Sequence, residues 1–434
     1  MKRINLYFPN VDWRLSIGLI VSSLFEAARI WRGDSHGHRK AYEEKASELI
    51  GIQHAITVPT ARSGLHVLLS ALGVGKGDEV IVTGYTCSAV PEPILQHGAV
   101  PIYADISQQN FCLDTSAVEK AITTNTKVII VQHTYGLAGP VMEVVRIAQN
   151  YGIFVIEDCA LAFGSSIEGR WLGTYADAAI WSFELSKTLS VGWGGLVGIN
   201  RDAVLADKVL NIMELAGYQS RLRAAQRLLQ GGLSGLLYHH KTPNLLRYHA
   251  IAILFRLGIF ISSADTPASD LRMPSDMQWK YLLRQLKRLD HILANSQKAR
   301  EAYAAVLATH GCESGLEKYS HPDTYLIRFP LLVRDIRRCV EFFAISDIEA
   351  GRWFSAPVSS GAVPATEYSY VTGSCPIAER VCAHIVNLPL HGRLRNKQIM
   401  LIASVLDDYL RKYPDEIEFI NSNCLFEVVT HEPK

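Results

Sequence analysis

The sequence predicts an α/β protein with a large, doubly wound, mostly parallel sheet and a smaller C-terminal α+β domain. Short apolar strands alternate with helices in the first half of the chain, as in "KVIIVQHT", "VMEVVRIAQNYG" and "IFVIEDCA". Uninterrupted apolar strands are typical of a parallel sheet that helices cover on both faces. We therefore expect ligands to bind at the carboxyl ends of the strands.

The chain is long enough, at 434 residues, for two domains and an additional segment. We predict an N-terminal helical arm over residues 1–50 and an α/β domain over residues 51–275. A C-terminal α+β domain is predicted over residues 276–434, starting with the amphipathic stretch "MQWKYLLRQLKRLDHILANSQKAREAYAAVL". The stretch "LSIGLIVSSLF" in the arm is too short to span a bilayer, and it predicts an amphipathic helix instead of a signal peptide.

Composition excludes several classes of protein. The formal net charge of +1 gives no whole-chain attraction to nucleic acid. The eight cysteines form no C-x-x-C motif, which argues against a disulfide scaffold or a zinc ribbon and favours the cytoplasm. We interpret "DSHGHRK" as a surface turn and "GVGKGDEV" as a helix-to-strand turn, so we predict neither a metal site nor a phosphate loop there.

Residues 203–262 form an apolar insertion that is rich in leucine, isoleucine and arginine. Arg256 interrupts its second apolar run, which argues against a transmembrane helix. The favoured interpretation is a helical insertion packed on the protein body or on a partner subunit. The alternative is an interfacial helix that faces lipid or an apolar substrate, so that the protein contacts a membrane peripherally.

Three features at predicted strand and helix ends point to one cofactor. Lys187 lies in the apolar stretch "WSFELSKTLSVGWGG". Asp158 closes "IFVIEDCA", where its carboxylate is either an ion-pair partner or an acceptor for a buried cation. Arg62 and Ser63 begin a helix, where backbone N–H groups either bind an anion or are simply capped. Pyridoxal phosphate needs a lysine amine, a carboxylate for its pyridine nitrogen and a site for its phosphate. Burial would lower the pKa of the lysine and keep its amine nucleophilic.

The chain also resembles a known family, the nucleotide-sugar aminotransferases of the DegT/StrS type, which are fold-type I pyridoxal phosphate enzymes. The resemblance extends from about residue 40 to residue 410. Its most specific segments include "GVGKGDEVIVTGYTCSAV", "VIIVQHTYGLAGPV", "YGIFVIEDCALAFGS", "SFELSKTLSVGWGG" and "NLPLHGRL", which occur in the family's order and spacing.

The resemblance implies roles for individual residues. Lys187 matches the family's Schiff-base lysine, and Asp158 matches the partner of the pyridine nitrogen. Ser182 matches a residue near the phosphate. Ala61 and Arg62 fall on the family's Gly-Thr pair, whose backbone and hydroxyl hold the phosphate.

Several positions depart from the family pattern. Arg62 replaces the threonine, and we expect it to hold the phosphate by charge. Cys87 falls where relatives stack an aromatic ring, so Tyr85 is a candidate replacement. Leu161 falls where many relatives have a glutamine. Asp270 replaces an asparagine that reaches the neighbouring subunit's phosphate in relatives, which puts that contact in doubt.

The resemblance implies a homodimer with shared active sites and an amino donor that is often glutamate. We expect the protein to work in the cytoplasm and to transfer the amino group by a ping-pong mechanism. The acceptor that it implies is a keto sugar linked to a nucleotide. The departures and the insertion leave two alternatives. One is an aminotransferase for a non-sugar or lipid-like ketone or aldehyde, and the other is a regulatory protein that binds pyridoxal phosphate without catalysis.

Overall fold

The computed structural model describes residues 13–28, 37–107, 109–237, 244–261, 266–312, 323–359 and 363–416. The helices are α1 (Trp13–Ala27), α2 (Gly37–Ile50), α3 (Ala61–Ala71), α4 (Pro91–Gln96), α5 (Thr115–Ala121), α6 (Val141–Tyr151), α7 (Ala203–Ala216), α8 (Arg221–Leu237), α9 (Asn244–Arg256), α10 (Asp276–Leu286), α11 (Leu289–Thr309), α12 (Ile336–Ile345), α13 (Pro376–His384) and α14 (Asn396–Lys412). The strands are β1 (His54–Val58), β2 (Glu79–Thr83), β3 (Thr86–Cys87), β4 (Val100–Ala104), β5 (Thr126–Gln132), β6 (Phe154–Asp158), β7 (Ser166–Ile167), β8 (Arg170–Trp171), β9 (Ala178–Ser182), β10 (Gly195–Ile199), β11 (Arg328–Leu332), β12 (Val358–Ser359) and β13 (Ile385–Pro389).

A seven-stranded sheet with the order β1-β10-β9-β6-β5-β2-β4 forms the centre of the first part of the chain. Strands β9, β6, β5, β2 and β4 are parallel, whereas β10 runs antiparallel to both of its neighbours. Its central strands are buried on both faces, which explains their uninterrupted apolar sequences. The predicted doubly wound, mostly parallel sheet is therefore confirmed.

A smaller antiparallel sheet, β11 with β13, lies in the C-terminal part and shares an apolar core with α11, α12, α13 and α14. The large sheet has its own core, which also includes side chains of α10 and the beginning of α11, from Met277 to Leu293. The domain boundary at residues 275 and 276 remains a prediction. The parallel pairing of β3 with β12 joins the C-terminal part to the carboxyl end of the large sheet.

Helices α1 and α8 pack closely against each other because α8 has glycines at the crossing point. A Cβ atom on Gly232 would lie 2.7 Å from the carbonyl oxygen of Ser16 and 2.6 Å from Cγ1 of Ile20. Any side chain at this position would therefore force the two helices apart. The predicted helix at "LSIGLIVSSLF" and helices within the apolar insertion are both present. Across the described ranges, every helix is too short or too polar to cross a membrane.

Candidate active site

A cavity of about 140 Å³ lies at the carboxyl ends of β6 and β9. It is closed by the beginning of α3, the loop after β9 and a C-terminal segment at Trp353 and Phe354. The structure brings most of the residues predicted from the sequence to this cavity, namely Ala61, Arg62, Cys87, Asp158, Leu161, Ser182 and Lys187. Ser63, Tyr85 and Asp270 do not line it.

Lys187 follows β9 in a tight turn, in which its N–H donates to the carbonyl oxygen of Glu184 at 3.0 Å. The residue is only 8% exposed, and its amine lies 5.2 Å from the ring centroid of Trp353. Burial lowers the pKa of Lys187, and the opposing influence of Glu184, Cys87 and Asp158 is smaller. The fold therefore favours the neutral, nucleophilic form of the amine more than water does.

We expect the cofactor-free Lys187→Met variant to melt at a higher temperature than the cofactor-free wild-type protein at pH 7. The folded pKa of Lys187 lies below the ordinary value of 10.5, so the unfolded chain binds more protons and the burial of Lys187 costs stability. This cost is greatest below the folded pKa and disappears as the pH rises toward the unfolded value. Thermal melts at pH 7 and pH 10 check the prediction, and a difference that grows with pH would contradict it.

Asp158 is the last residue of β6, and its Oδ1 accepts the N–H of Ala160 at 2.9 Å. Burial raises the pKa of Asp158, while the Ala160 N–H and Lys187 act in the opposite direction. A buried carboxylate in this position gains stability from a cationic N–H partner that the cavity admits. The protonated pyridine nitrogen of pyridoxal phosphate is such a partner.

His133, Glu157 and Cys159 form a buried cluster behind Asp158 that is compact enough to resemble a metal site. The polar atoms of His133 and Glu157 are already used within the protein. Nδ1 of His133 accepts the N–H of Gly139 at 2.9 Å, so its Nε2 carries the proton and donates to Glu157 at 3.0 Å. Glu157 also accepts three backbone N–H groups. This cluster fixes the end of β6 and so positions Asp158.

The beginning of α3 is held by a capping box. The N–H of Ser63 donates to Oγ1 of Thr60, and the N–H of Thr60 donates to Oγ of Ser63, both at 3.0 Å. A Cβ atom on Gly195 would lie 2.6 Å from the Ala61 nitrogen, so only glycine allows β10 to approach this helix terminus. Thr60 lines the cavity, whereas Ser63 serves the cap. Sequence reasoning did not name Thr60, although its position immediately before the predicted helix indicates a capping residue at the helix N-terminus.

Arg62 lines the cavity, but its guanidinium group already has partners. Nη1 lies 2.9 Å from a carboxylate oxygen of Glu92 and donates to the carbonyl oxygen of Thr266 at 3.1 Å. The predicted charge contact between Arg62 and a phosphate therefore competes with the Glu92 ion pair. Sequence reasoning missed Glu92 because it lies on another helix, 30 positions further along the chain.

The aromatic rings that line the cavity do not include Tyr85, the ring that the sequence predicted. Tyr85 lies behind the cavity, where its hydroxyl accepts the N–H of Phe354 at 3.0 Å and bonds to the hydroxyl of Tyr135 at 2.6 Å. The rings that line the cavity belong to Trp193, Trp353 and Phe354. Trp193 lies in a stretch with an evident sequence signal, but nothing local links residues 353 and 354 to Lys187. They arrive there through the pairing of β3 with β12.

Asp270 lies away from the cavity, in an ion-pair cluster. One carboxylate oxygen is 2.8 Å from Nε of Arg272, and the other is 3.5 Å from Nη2 of Arg223. Burial alone would raise the pKa of Asp270, but the hydrogen bond from Arg272 and the nearby Arg223 and Arg227 lower it. From the sequence, the negative charge of Asp270 was expected to repel a phosphate. Arginines of the same subunit neutralise that charge. The contact of Asp270 with a neighbouring subunit remains a prediction.

Arg227 of α8 lies against the wall of the cavity and is only 1% exposed. Its guanidinium carbon is 4.1 Å from the ring centroid of Trp193. Within the described part of the chain, its Nε, Nη1 and Nη2 have no hydrogen-bond partner. Burial lowers the pKa of Arg227 to about 10. Because such burial is unfavourable, the stacking on Trp193 is the contact that sets the position of this side chain.

We expect Arg227→Met to raise the melting temperature of the cofactor-free protein or leave it unchanged. Methionine fills a similar volume without an unpartnered buried charge. The same variant should release pyridoxal phosphate about five- to thirtyfold faster, because Trp193 loses a stacking interaction of roughly 1–2 kcal/mol. Thermal melts and cofactor dissociation kinetics separate the two effects. Unchanged dissociation together with a lowered melting temperature would show that Arg227 only supports the fold.

The donor set of the cavity fits pyridoxal phosphate. Four groups surround one space with aromatic walls: the Lys187 amine with its lowered pKa, the buried Asp158 carboxylate, the N-terminus of α3 and the Ser182 hydroxyl. An amine for the aldehyde, a carboxylate for the pyridine nitrogen and N–H groups for the phosphate are the three requirements of this cofactor.

Comparison with known proteins identifies the family of the chain. Residues 26–407 match the family model described as the DegT/DnrJ/EryC1/StrS aminotransferase family. The chain is 37% identical over 232 residues to a GDP-perosamine synthase from Escherichia coli O157:H7, a match that covers 54% of this chain and 61% of that enzyme. It is 26% identical over 372 residues to the GDP-perosamine synthase of Vibrio cholerae, covering 85% of this chain and 89% of the relative.

The fold is also that of solved aminotransferase structures. The aminotransferase from Psychrobacter cryohalolentis superimposes with a TM-score of 0.72 at 19% identity, covering 93% of this chain and 98% of the other. The family, the fold class, the enzyme class and the pyridoxal phosphate cofactor that the sequence predicts are confirmed by these matches. The chain belongs to the DegT/DnrJ/EryC1/StrS aminotransferase family.

Proposed function

We propose that the protein transfers an amino group, with glutamate as the donor, to the carbonyl carbon of a keto sugar linked to a nucleoside diphosphate. The observation that carries this proposal is the placement of the Lys187 amine and the Asp158 carboxylate on one cavity beside the N-terminus of α3. Both GDP-perosamine synthases, which are similar to this chain, are named for a GDP-linked product.

Bound pyridoxal phosphate would supply an electron sink that stabilises negative charge at the carbon attached to the transferred nitrogen. Lys187 then acts through its Nζ as the base that takes a proton from the donor carbon and returns it to a neighbouring carbon. Asp158 accepts an N–H and keeps the ring nitrogen cationic. The N–H groups at the start of α3 and the Ser182 hydroxyl orient the phosphate. Trp193 and Trp353 exclude water from the reacting atoms.

The two half-reactions test this function. Glutamate added to the enzyme loaded with pyridoxal phosphate should abolish the visible absorbance of the cofactor, and the true acceptor should restore it. Keto sugars linked to GDP, UDP and dTDP are one panel, and long-chain ketones and aldehydes are the matched second panel. Restoration by the second panel alone would establish the lipid-like alternative. Absorbance that glutamate leaves unchanged would favour the regulatory alternative.

The same proposal includes a cytoplasmic homodimer with shared active sites. The exposed face of α1 supports it, because Ile17, Val21 and Leu24 form an apolar stripe at helical spacing that a second subunit would cover. The seven cysteines among the described residues are all free thiols, the state that a reducing compartment favours. Light scattering should give about twice the chain mass of 48.2 kDa. A monomer with full activity would contradict shared sites.

A further inference from the structure

We propose that α9, within the apolar insertion, docks on the surface of a membrane that contains anionic lipids. This inference concerns a surface away from the cavity, and it holds whichever carbonyl compound the enzyme accepts. Exposed apolar side chains, an exclusively cationic sequence and the length of the helix carry it.

The side chains of α9 and the residue after it leave a large apolar surface in water. Leu246, Ile253, Phe255 and Leu257 are between 46% and 67% exposed. Leu246, Ile253 and Leu257 follow one another at spacings of seven and four residues, so they share one side of the helix, and an exposed apolar surface of this kind is normally covered. The end of the helix is attached to α8 through Gln230, which exchanges two hydrogen bonds with the backbone of Ile261. Attachment at this end leaves the apolar sides uncovered.

The positive charge of the sequence around α9 indicates which kind of partner covers this helix. Residues 238–261, which include α9, contain no aspartate or glutamate, and their lysine and arginine residues are Lys241, Arg247 and Arg256. In a symmetric dimer the same patch of each subunit meets its copy, so cations would face cations. A bilayer with anionic headgroups offers the opposite charge together with an apolar layer. Charge complementarity therefore favours lipid over a second copy of this surface.

The dimensions favour a helix that lies along the interface. The 13 residues of α9 extend over roughly 20 Å, which is shorter than the hydrocarbon core of about 30 Å. Arg247 and Arg256 enclose an uncharged run of eight residues. The long side chain of Arg256 can reach the headgroups while the apolar side chains enter the acyl boundary. Such a helix binds reversibly, in proportion to its buried apolar area and the anionic charge of the lipid.

The test is flotation of the full-length enzyme, loaded with pyridoxal phosphate, with two kinds of vesicle. One is pure phosphatidylcholine, and the other also contains phosphatidylglycerol. We expect at least about tenfold stronger partition into the anionic vesicles, with a loss of binding at high salt. Phe255→Asp combined with Leu257→Asp should lower that partition at least about tenfold. The matched control is Ile345→Asp, at a side chain of α12 that is 82% exposed, and it should bind as the wild type does.

Three outcomes would overturn the proposal. The first is equal partition into both kinds of vesicle, and the second is full partition of the double variant. The third is a double variant that becomes monomeric, because α9 would then be covered by a second subunit. The glutamate half-reaction in solution serves as the folding control, since neither substituted residue lines the cavity. Loss of vesicle binding with an intact half-reaction separates this inference from the proposed function.

Discussion

Replacing Lys187 with alanine should lower the rate of amino transfer at least about 10⁴-fold, a loss of roughly 5.5 kcal/mol of transition-state stabilisation. The variant lacks the amine that attaches the cofactor and moves the proton between carbons. Its cavity should still admit pyridoxal phosphate, because Asp158 and the beginning of α3 remain in place. Borohydride reduction followed by mass measurement should show cofactor fixed to the wild-type chain and absent from the variant.

The matched control for this prediction is Lys127→Ala, which removes the same charge at an exposed position of β5. It should retain full activity and the cofactor adduct. Cofactor that remains covalently fixed to the Lys187→Ala chain would show that another nucleophile performs this role. Added methylamine offers a further check, since a small amine that enters the cavity should restore part of the activity if only the base is missing.

The sequence predicted the sheet and the pair formed by Lys187 and Asp158 because both depend on local patterns. An apolar strand followed by one polar residue places that residue at the carboxyl edge of a parallel sheet. Asp158 and Ser182 are indeed the last residues of β6 and β9. The local pattern of each strand was therefore enough to predict that Asp158 and Ser182 lie at the cavity.

The remaining parts of the site depend on contacts between distant segments. The pairing of Arg62 with Glu92 and the stacking of Arg227 on Trp193 join separate helices and loops. Trp353 comes from the C-terminal part of the chain, where its ring lies 3.8 Å from the guanidinium carbon of Arg328. A residue's type and its neighbours in sequence do not specify such partners, since tertiary packing selects them. Arg62 is an example, because the sequence predicted a contact with a phosphate, whereas the folded chain pairs its guanidinium group with Glu92.

Asp158→Asn should lower kcat about 10³-fold, or roughly 4 kcal/mol, while the cofactor stays bound. Asparagine has nearly the same shape, and its amide oxygen can still accept the N–H of Ala160. A neutral amide cannot stabilise a protonated ring nitrogen, so the electron sink becomes weaker. Asp158 also raises the pKa of Lys187, and its removal should therefore lower that pKa further. We expect the acidic limb of the pH–rate profile, on which the base Lys187 becomes protonated, to move toward lower pH.

Stopped-flow measurement of the glutamate half-reaction across the pH range checks both parts of this prediction. The control is Asp177→Asn, which changes a carboxylate that accepts the N–H of Val155 near the other end of β6. That substitution preserves a similar hydrogen bond but lies far from the carboxyl end of the strand, so kcat should stay within about twofold of the wild-type value. If Asp158→Asn retained full activity, the ring nitrogen would not need a charged partner. The role of Asp158 would then be reduced to holding the backbone turn at Ala160.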